Sequence, residues 1–122
     1  MKNPVGWFEI YVEDMNRAKT FYEAVFDIEL QKLEGTEFEM LAFPMDRTCY
    51  GAAGALIRLP GYPSGANSTI VYFSCADCAV EAGRAGEAGG KVETPKKSIG
   101  QYGFISLVFD TEGNLFGLHS RQ

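Results

Sequence analysis

Cysteine, histidine and tryptophan are scarce in this sequence, with three, one and one among 122 residues. Three cysteines, Cys49, Cys75 and Cys78, are an odd number and too few for a disulfide framework, which points to a reducing compartment and a cytoplasmic protein. No window approaches the roughly 18 uninterrupted apolar residues of a membrane span. The start, Met1-Lys2-Asn3-Pro4-Val5-Gly6-Trp7, lacks the basic and apolar segments of an export signal. No membrane partner is expected. Basic residues are outnumbered, 11 Lys and Arg against 16 Asp and Glu for a net charge of −5, and they stand singly apart from Lys96-Lys97. No stripe tracks phosphates, so nucleic acid is not an expected partner.

What the chain does have is apolar material, 46% of its residues with nine Phe and six Tyr, enough for the core of one domain over residues 1–122. Its order of elements runs twice. Residues 7–12 are apolar and β-prone; Asp14 then precedes a helical pattern whose Ala18, Phe21, Tyr22, Val25 and Phe26 predict a buried stripe. Strand-like runs follow at 28–33, 37–43 and 54–59. The Pro, Gly and Ser of residues 60–68 mark a connection. Residues 69–75 restart the order: a strand, Asp77 as helix cap, a helix over 78–88 stopped by Gly89-Gly90, then strands at 91–93, 104–109 and 115–119. Asp77 stands 63 positions after Asp14, and this offset aligns the halves. The reading is an α+β chain of two tandem βαβββ modules, about 5–59 and 69–120, pairing into an open barrel-like cleft. Gly83 and Gly86 weaken the second helix and are expected to mark close packing on its sheet.

These segments resemble the vicinal oxygen chelate superfamily of glyoxalases, bleomycin resistance proteins and extradiol dioxygenases. The resemblance rests on Phe8-Glu9-Ile10-Tyr11-Val12-Glu13-Asp14 leading to Arg17-Ala18-Lys19-Thr20-Phe21-Tyr22, on Ala88-Gly89-Gly90-Lys91-Val92, and on residues 109–119, FDTEGNLFGLH. It implies a homodimer, and it implies that metal-dependent relatives hold a cation on the first and last strand of each repeat. Those positions fall on Trp7, Ile70 and Gly117 and, by the offset of 63, on Gly54. None is a His, carboxylate or thiolate, so the usual metal site is expected to be absent and no cofactor is expected.

Two residues along each strand from those positions, the side chains should face the same cavity: Glu9, Leu56, Tyr72 and His119. Glu9 and His119 are the candidate acid and base of a lyase or isomerase, or the ligands of an atypical metal site, with structural hydrogen bonding as the alternative for each. Trp7, Tyr11, Leu41, Phe43, Leu56, Ile70, Tyr72 and Gly117 are the expected lining for a small, partly aromatic or apolar ligand, with ordinary core packing as the alternative. Cys75-Ala76-Asp77-Cys78 places two thiols at a helix start, where thiolate chemistry is conceivable, yet Cys75 closes a strand and no second pair completes a zinc site. Residues 94–103 read as a long loop whose Lys96 and Lys97 could meet an anion or simply be solvated.

Overall fold

A computed structural model of the chain describes residues 3–66 and 68–122. Met1 and Lys2 of the N-terminal segment and Asn67 of the predicted connection lie outside them. The chain divides into two compact units, residues 7–69 and residues 70–122 with the N-terminal segment through Gly6.

In the first unit, β1 (Val5–Tyr11) leads to α1 (Met15–Phe26), followed by β2 (Gln31–Lys32), β3 (Glu39–Ala42) and β4 (Ala55–Arg58). β1 runs parallel to β4, with Glu9 opposite Ala55 and Tyr11 opposite Ile57; β4 is antiparallel to β3, and β3 to β2. Asp14 caps α1 as expected: in an extended conformation it accepts from the Arg17 N–H at 3.0 Å, satisfying a free amide of the first turn. At the other end Asp27 adopts a left-handed conformation, φ 52°. Glu23 secures the exit, accepting from the Leu30 N–H at 2.8 Å and pairing with Lys19 at 2.9 Å. Leu30 is thereby turned into the core, and the strand expected over 28–33 shrinks to Gln31–Lys32.

α1 settles on its Met15, Ala18 and Tyr22 line, which packs on Ile10, Leu30, Leu41, Phe43 and Leu56. The predicted apolar stripe is therefore only partly covered. Phe21 lies about a quarter-turn around the helix from that line. Phe21, Val25 and Phe26 stay 59%, 55% and 60% exposed.

The second unit repeats the plan with β5 (Thr69–Ser74), α2 (Cys78–Glu87), β6 (Lys91–Ser98), a 3₁₀ turn (Gly100–Tyr102), β7 (Phe104–Phe109) and β8 (Leu115–Ser120). β5 runs parallel to β8, with Tyr72 opposite Gly117; β8 is antiparallel to β7, and β7 to β6. Asp77 caps α2 through the Ala79 N–H at 3.0 Å. Cys78 and Ala82 pack on Val108 and Leu118, with Phe73, Val92, Phe104 and Phe116 around them. Gly90 is the stop because a Cβ there would stand 2.7 Å from the Phe109 carbonyl oxygen. Gly83 and Gly86 depart from expectation: a Cβ on either meets nothing within 4 Å, so neither marks close packing. β6 also runs further than expected, to Ser98, so the first half of the predicted 94–103 loop is strand. Pro95 hides it in the sequence, but an outer strand with bulges between Val92 and Lys97 tolerates a residue with no N–H.

The two modules are not in perfect register. Tyr72 stands 63 positions after Glu9, but their strand partners Gly117 and Ala55 stand only 62 apart. In a strand one residue is the difference between two faces.

Candidate functional site

Each sheet has one face under its helix and one free of it. In the first unit the helix face takes Ile10, Leu41, Phe43 and Leu56. Alternation along the strands puts Trp7, Glu9 and Tyr11 of β1 and Ala55 and Ile57 of β4 on the opposite, helix-free face. Leu41, Phe43 and Leu56 are thus corrected: they share the core with α1 and not a face with Glu9. For Leu56 the cause is the one-residue difference in register; Leu41 pairs with Leu56 and Phe43 stands two residues further, so both share its face. Gly54 goes with them, because the Phe8 ring fills the space that a side chain there would need. Ala55 and Ile57 take the places that the offset of 63 assigns to Gly54 and Leu56.

The helix-free face of the first unit is aromatic with a carboxylate in the middle. The Trp7 indole Nε1–H donates to Glu9 Oε2 at 3.3 Å, and Glu9 is only 8% exposed. Tyr11, buried two residues further, stacks on Tyr62 with ring centroids 5.5 Å apart and planes 22° from parallel. Burial, then the charges of Glu9 and Tyr62, push the Tyr11 phenol well above its ordinary value. It is therefore held as a neutral hydroxyl throughout the neutral range. Tyr62 belongs to the 60–68 connection, where Pro and Gly carry the sequence signal; an aromatic between two prolines is the cue that was there to be used.

In the second unit Ile70, Tyr72, Gly117 and His119 lie on the face away from α2, whose own face takes Phe73, Phe116 and Leu118. The Tyr72 ring occupies the space left by Gly117, and both residues are buried. His119 is engaged locally: its Nε2 lies 2.6 Å from the Tyr102 carbonyl oxygen, to which Arg121 Nη1 also donates at 3.2 Å. A carbonyl only accepts, so Nε2 carries the proton and Nδ1 is the nitrogen left for other chemistry. Gly103, at φ 106°, lets the chain pass close to this ring, since a Cβ would run into the Ser120 carbonyl.

At the positions where the family resemblance places metal ligands, corrected for register, stand Trp7, Ala55, Ile70 and Gly117, and none offers a donor suited to a divalent cation. Among the described residues, no group of three or more His, Cys, Asp or Glu side chains is placed so that it could hold a metal ion. The Cys75 thiol is pushed up to about 11 by burial first and then by Glu81 and Cys78, so it stays protonated near neutrality. Cys78 is wholly buried. These surroundings disfavour a reactive thiolate. Lys96 is not a loose loop lysine either: its Nζ reaches Asp77 Oδ1 at 2.8 Å and the Gln122 carbonyl oxygen at 3.1 Å, and lies 4.7 Å from the Phe104 ring centroid.

A model of the Glyoxalase/Bleomycin resistance protein/Dioxygenase superfamily matches residues 5–118. No curated protein sequence matches the chain significantly. Among solved structures it is similar to a Streptomyces coelicolor methylmalonyl-CoA epimerase variant in complex with 2-nitronate-propionyl-CoA, at 18% identity and a TM-score of 0.66 over 98% of both chains. The Mycobacterium tuberculosis methylmalonyl-CoA epimerase gives 13% identity and a TM-score of 0.66 over 98% of this chain and 88% of that one. A hypothetical protein of Bacillus halodurans C-125 gives 9% identity and a TM-score of 0.70 over 100% and 96%. At such identities the likeness speaks for the fold alone.

Proposed function

This chain belongs to the Glyoxalase/Bleomycin resistance protein/Dioxygenase superfamily, and from that premise we propose that it binds a small, partly aromatic or apolar molecule on the helix-free faces of its sheets, without the family's usual metal. The observation that carries the reading is the Trp7, Glu9, Tyr11 row. It combines a buried carboxylate held by an indole N–H with an adjacent phenol kept neutral, on the one face of that sheet its helix does not cover. Aromatic walls and a few fixed polar groups are the common makeup of small-molecule sites. Metal independence is supported by the indole, the alkyl groups and the glycine at the four ligand positions.

Trp7 is the only tryptophan, so its fluorescence reports on this face directly. Titration with small aromatic and 2-oxo compounds is expected to give a saturable Trp7 response. A thermal-shift gain should accompany it, about 2.7 kcal/mol at 100 times the dissociation constant. Both are expected to be lost in Glu9→Gln. A ligand that stabilises the protein equally well in Glu9→Gln and Trp7→Leu would overturn the assignment, and so would stoichiometric zinc, nickel or iron in the purified protein.

The second reading is a lyase or isomerase in which Glu9 moves a proton, favoured by the burial of its carboxylate and by epimerases among the structural neighbours. His119 enters this reading through Nδ1 only. Deuterium incorporation from solvent into methylmalonyl-CoA, abolished by Glu9→Gln in a folded protein, is the expected sign; no exchange with this or related 2-substituted thioesters leaves the binding reading alone in place. A second copy of the chain is the proposed partner, supported by the exposed Phe21, Val25 and Phe26 of α1. Sedimentation of Phe21→Ser/Val25→Ser as a smaller species than the unaltered protein tests it. A cytoplasmic setting is proposed from the free thiols of Cys49, Cys75 and Cys78.

A further inference from the structure

At the carboxyl ends of the parallel pair β1 and β4, the first unit carries an open groove of about 450 Å³ lined by residues 12–13 and 58–63. It adjoins the aromatic row only through the stack of Tyr62 on Tyr11. Its volume falls in the range of small-molecule sites. One wall is flat and apolar, made by the Tyr62 ring with Pro60 and Pro63. The turn that carries this ring is closed by the Tyr62 N–H to the Leu59 carbonyl oxygen at 3.1 Å.

The charges of the groove are arranged in an unexpected way. Arg58 donates its Nε–H to the backbone carbonyl oxygen of Glu13 at 3.0 Å, which pins the guanidinium at the groove wall. The Glu13 carboxylate, a ready partner for that guanidinium, instead accepts from the Ser64 hydroxyl at 3.0 Å. Only Lys19 with Glu23 and Lys96 with Asp77 form ion pairs among the described residues, so the charge of Arg58 is matched by no carboxylate. A guanidinium fixed through Nε presents its remaining N–H groups as a planar fork, the geometry that fits two oxygens of a carboxylate or phosphate at once.

We propose that this groove is a binding site for a small molecule that joins a flat apolar ring to a carboxylate or phosphate. The oxyanion sits on the Arg58 fork and the ring lies against Tyr62 and its flanking prolines. The site stands on residues other than the Trp7, Glu9, Tyr11 row, so either can fail without the other.

The test is an amide NMR titration of the whole protein with benzoate, phenyl phosphate and the neutral benzamide. The two anions are expected to shift the amides of residues 12–13, 58–59 and 61–62 saturably, with benzamide weaker by about tenfold or more. The tighter of the two anions identifies the oxyanion class. Arg58→Gln should erase the preference for anions while the rest of the spectrum stays dispersed. Arg58→Lys, which keeps the charge and loses the fork, should retain only part of it. Tyr62→Leu should weaken all three compounds. The proposal is overturned if the groove amides do not move, if benzamide binds as well as the anions, or if the anion preference in Arg58→Gln or Arg58→Lys equals that of the unaltered protein.

Discussion

The two modules share one plan and spend their polar side chains differently. In the first, the helix-free face carries a carboxylate between an indole and a phenol, the loop after β4 stacks Tyr62 on that phenol, and Arg58 at the end of β4 is matched by no carboxylate among the described residues. In the second, the comparable groups are committed to holding the module together. His119 binds the turn before β7, Lys96 joins the α2 cap to Gln122, and the Ser120 hydroxyl accepts from the Cys78 N–H at 3.0 Å. A shared plan thus says little about function; the difference lies in which side chains the local structure has already engaged.

The largest expected effect concerns the face to which β4 residues belong. Leu56 is fully buried under α1, so Leu56→Ala should cost about 2–5 kcal/mol in a denaturant melt, by lost burial and a residual cavity. Ligand affinity measured on the folded fraction should hardly change. A variant with full stability and lost binding would return Leu56 to the other face and erase the register difference between modules.

Next come the two glycines that accept rings, Gly54 against Phe8 and Gly117 against Tyr72. Gly117→Ala should cost about 1–3 kcal/mol by overpacking. Gly54→Ala should cost more, because at φ 79° a Cβ adds backbone strain of about 1–2 kcal/mol to the same crowding. Equal losses would show that the two strands are more alike than their pairing suggests.

The helix caps give a smaller contrast. Asp14→Ala should lower stability by about 1 kcal/mol. Asp77→Ala should lower it further, since Asp77 also binds Lys96. The contrast has a pH signature. Lys96 first, then the Ala79 N–H, hold the Asp77 carboxyl below its ordinary value. A carboxyl depressed in the folded state adds stability above its unfolded pKa, and that contribution is lost as pH falls through the folded value. The melting temperature of the unaltered protein should therefore drop on acidification below about pH 4 more steeply than that of Asp77→Asn. Parallel curves would show that Asp77 is not linked to folding.

The smallest effect is a gain. Gly83→Ala, on an open side of α2, should stabilise the protein by about 0.5–1 kcal/mol. A loss would mean that Gly83 packs against something after all.

The elements that announce themselves locally were legible in the sequence: both capping aspartates, the Gly89-Gly90 stop and the span of β7. A cap, a turn or an apolar period depends on neighbours a few residues away. Long-range pairing was less visible. Nothing in residues 54–57 tells which of two alternating sets faces the helix, and an offset one residue too long put Leu56 on the wrong side; Leu41 and Phe43 of the neighbouring strand follow the face of Leu56, which only the pairing reveals. The α1 stripe erred for a related reason, since periodicity gives the direction of an apolar face and not how much of it a small sheet covers. Of the candidate site, Trp7, Glu9 and Tyr11 were readable as one row because they share one strand. Tyr62, which stacks on Tyr11, was not, and neither was the separate groove it shares with Arg58, because such a groove is a property of segments brought together by folding.

The attachments around Lys96 have a mechanical consequence. The Ser120 hydroxyl links both to the Cys78 N–H and to the Gln122 carbonyl oxygen, while Lys96 bridges that same oxygen to Asp77. Tension applied at Gln122 is therefore delivered by two routes to the first turn of α2 and spread across β6 and β8 before it reaches the hydrophobic interior. A tug on this end loads a hydrogen-bonded harness, so the module should yield by unlatching a helix start and not by peeling away a strand.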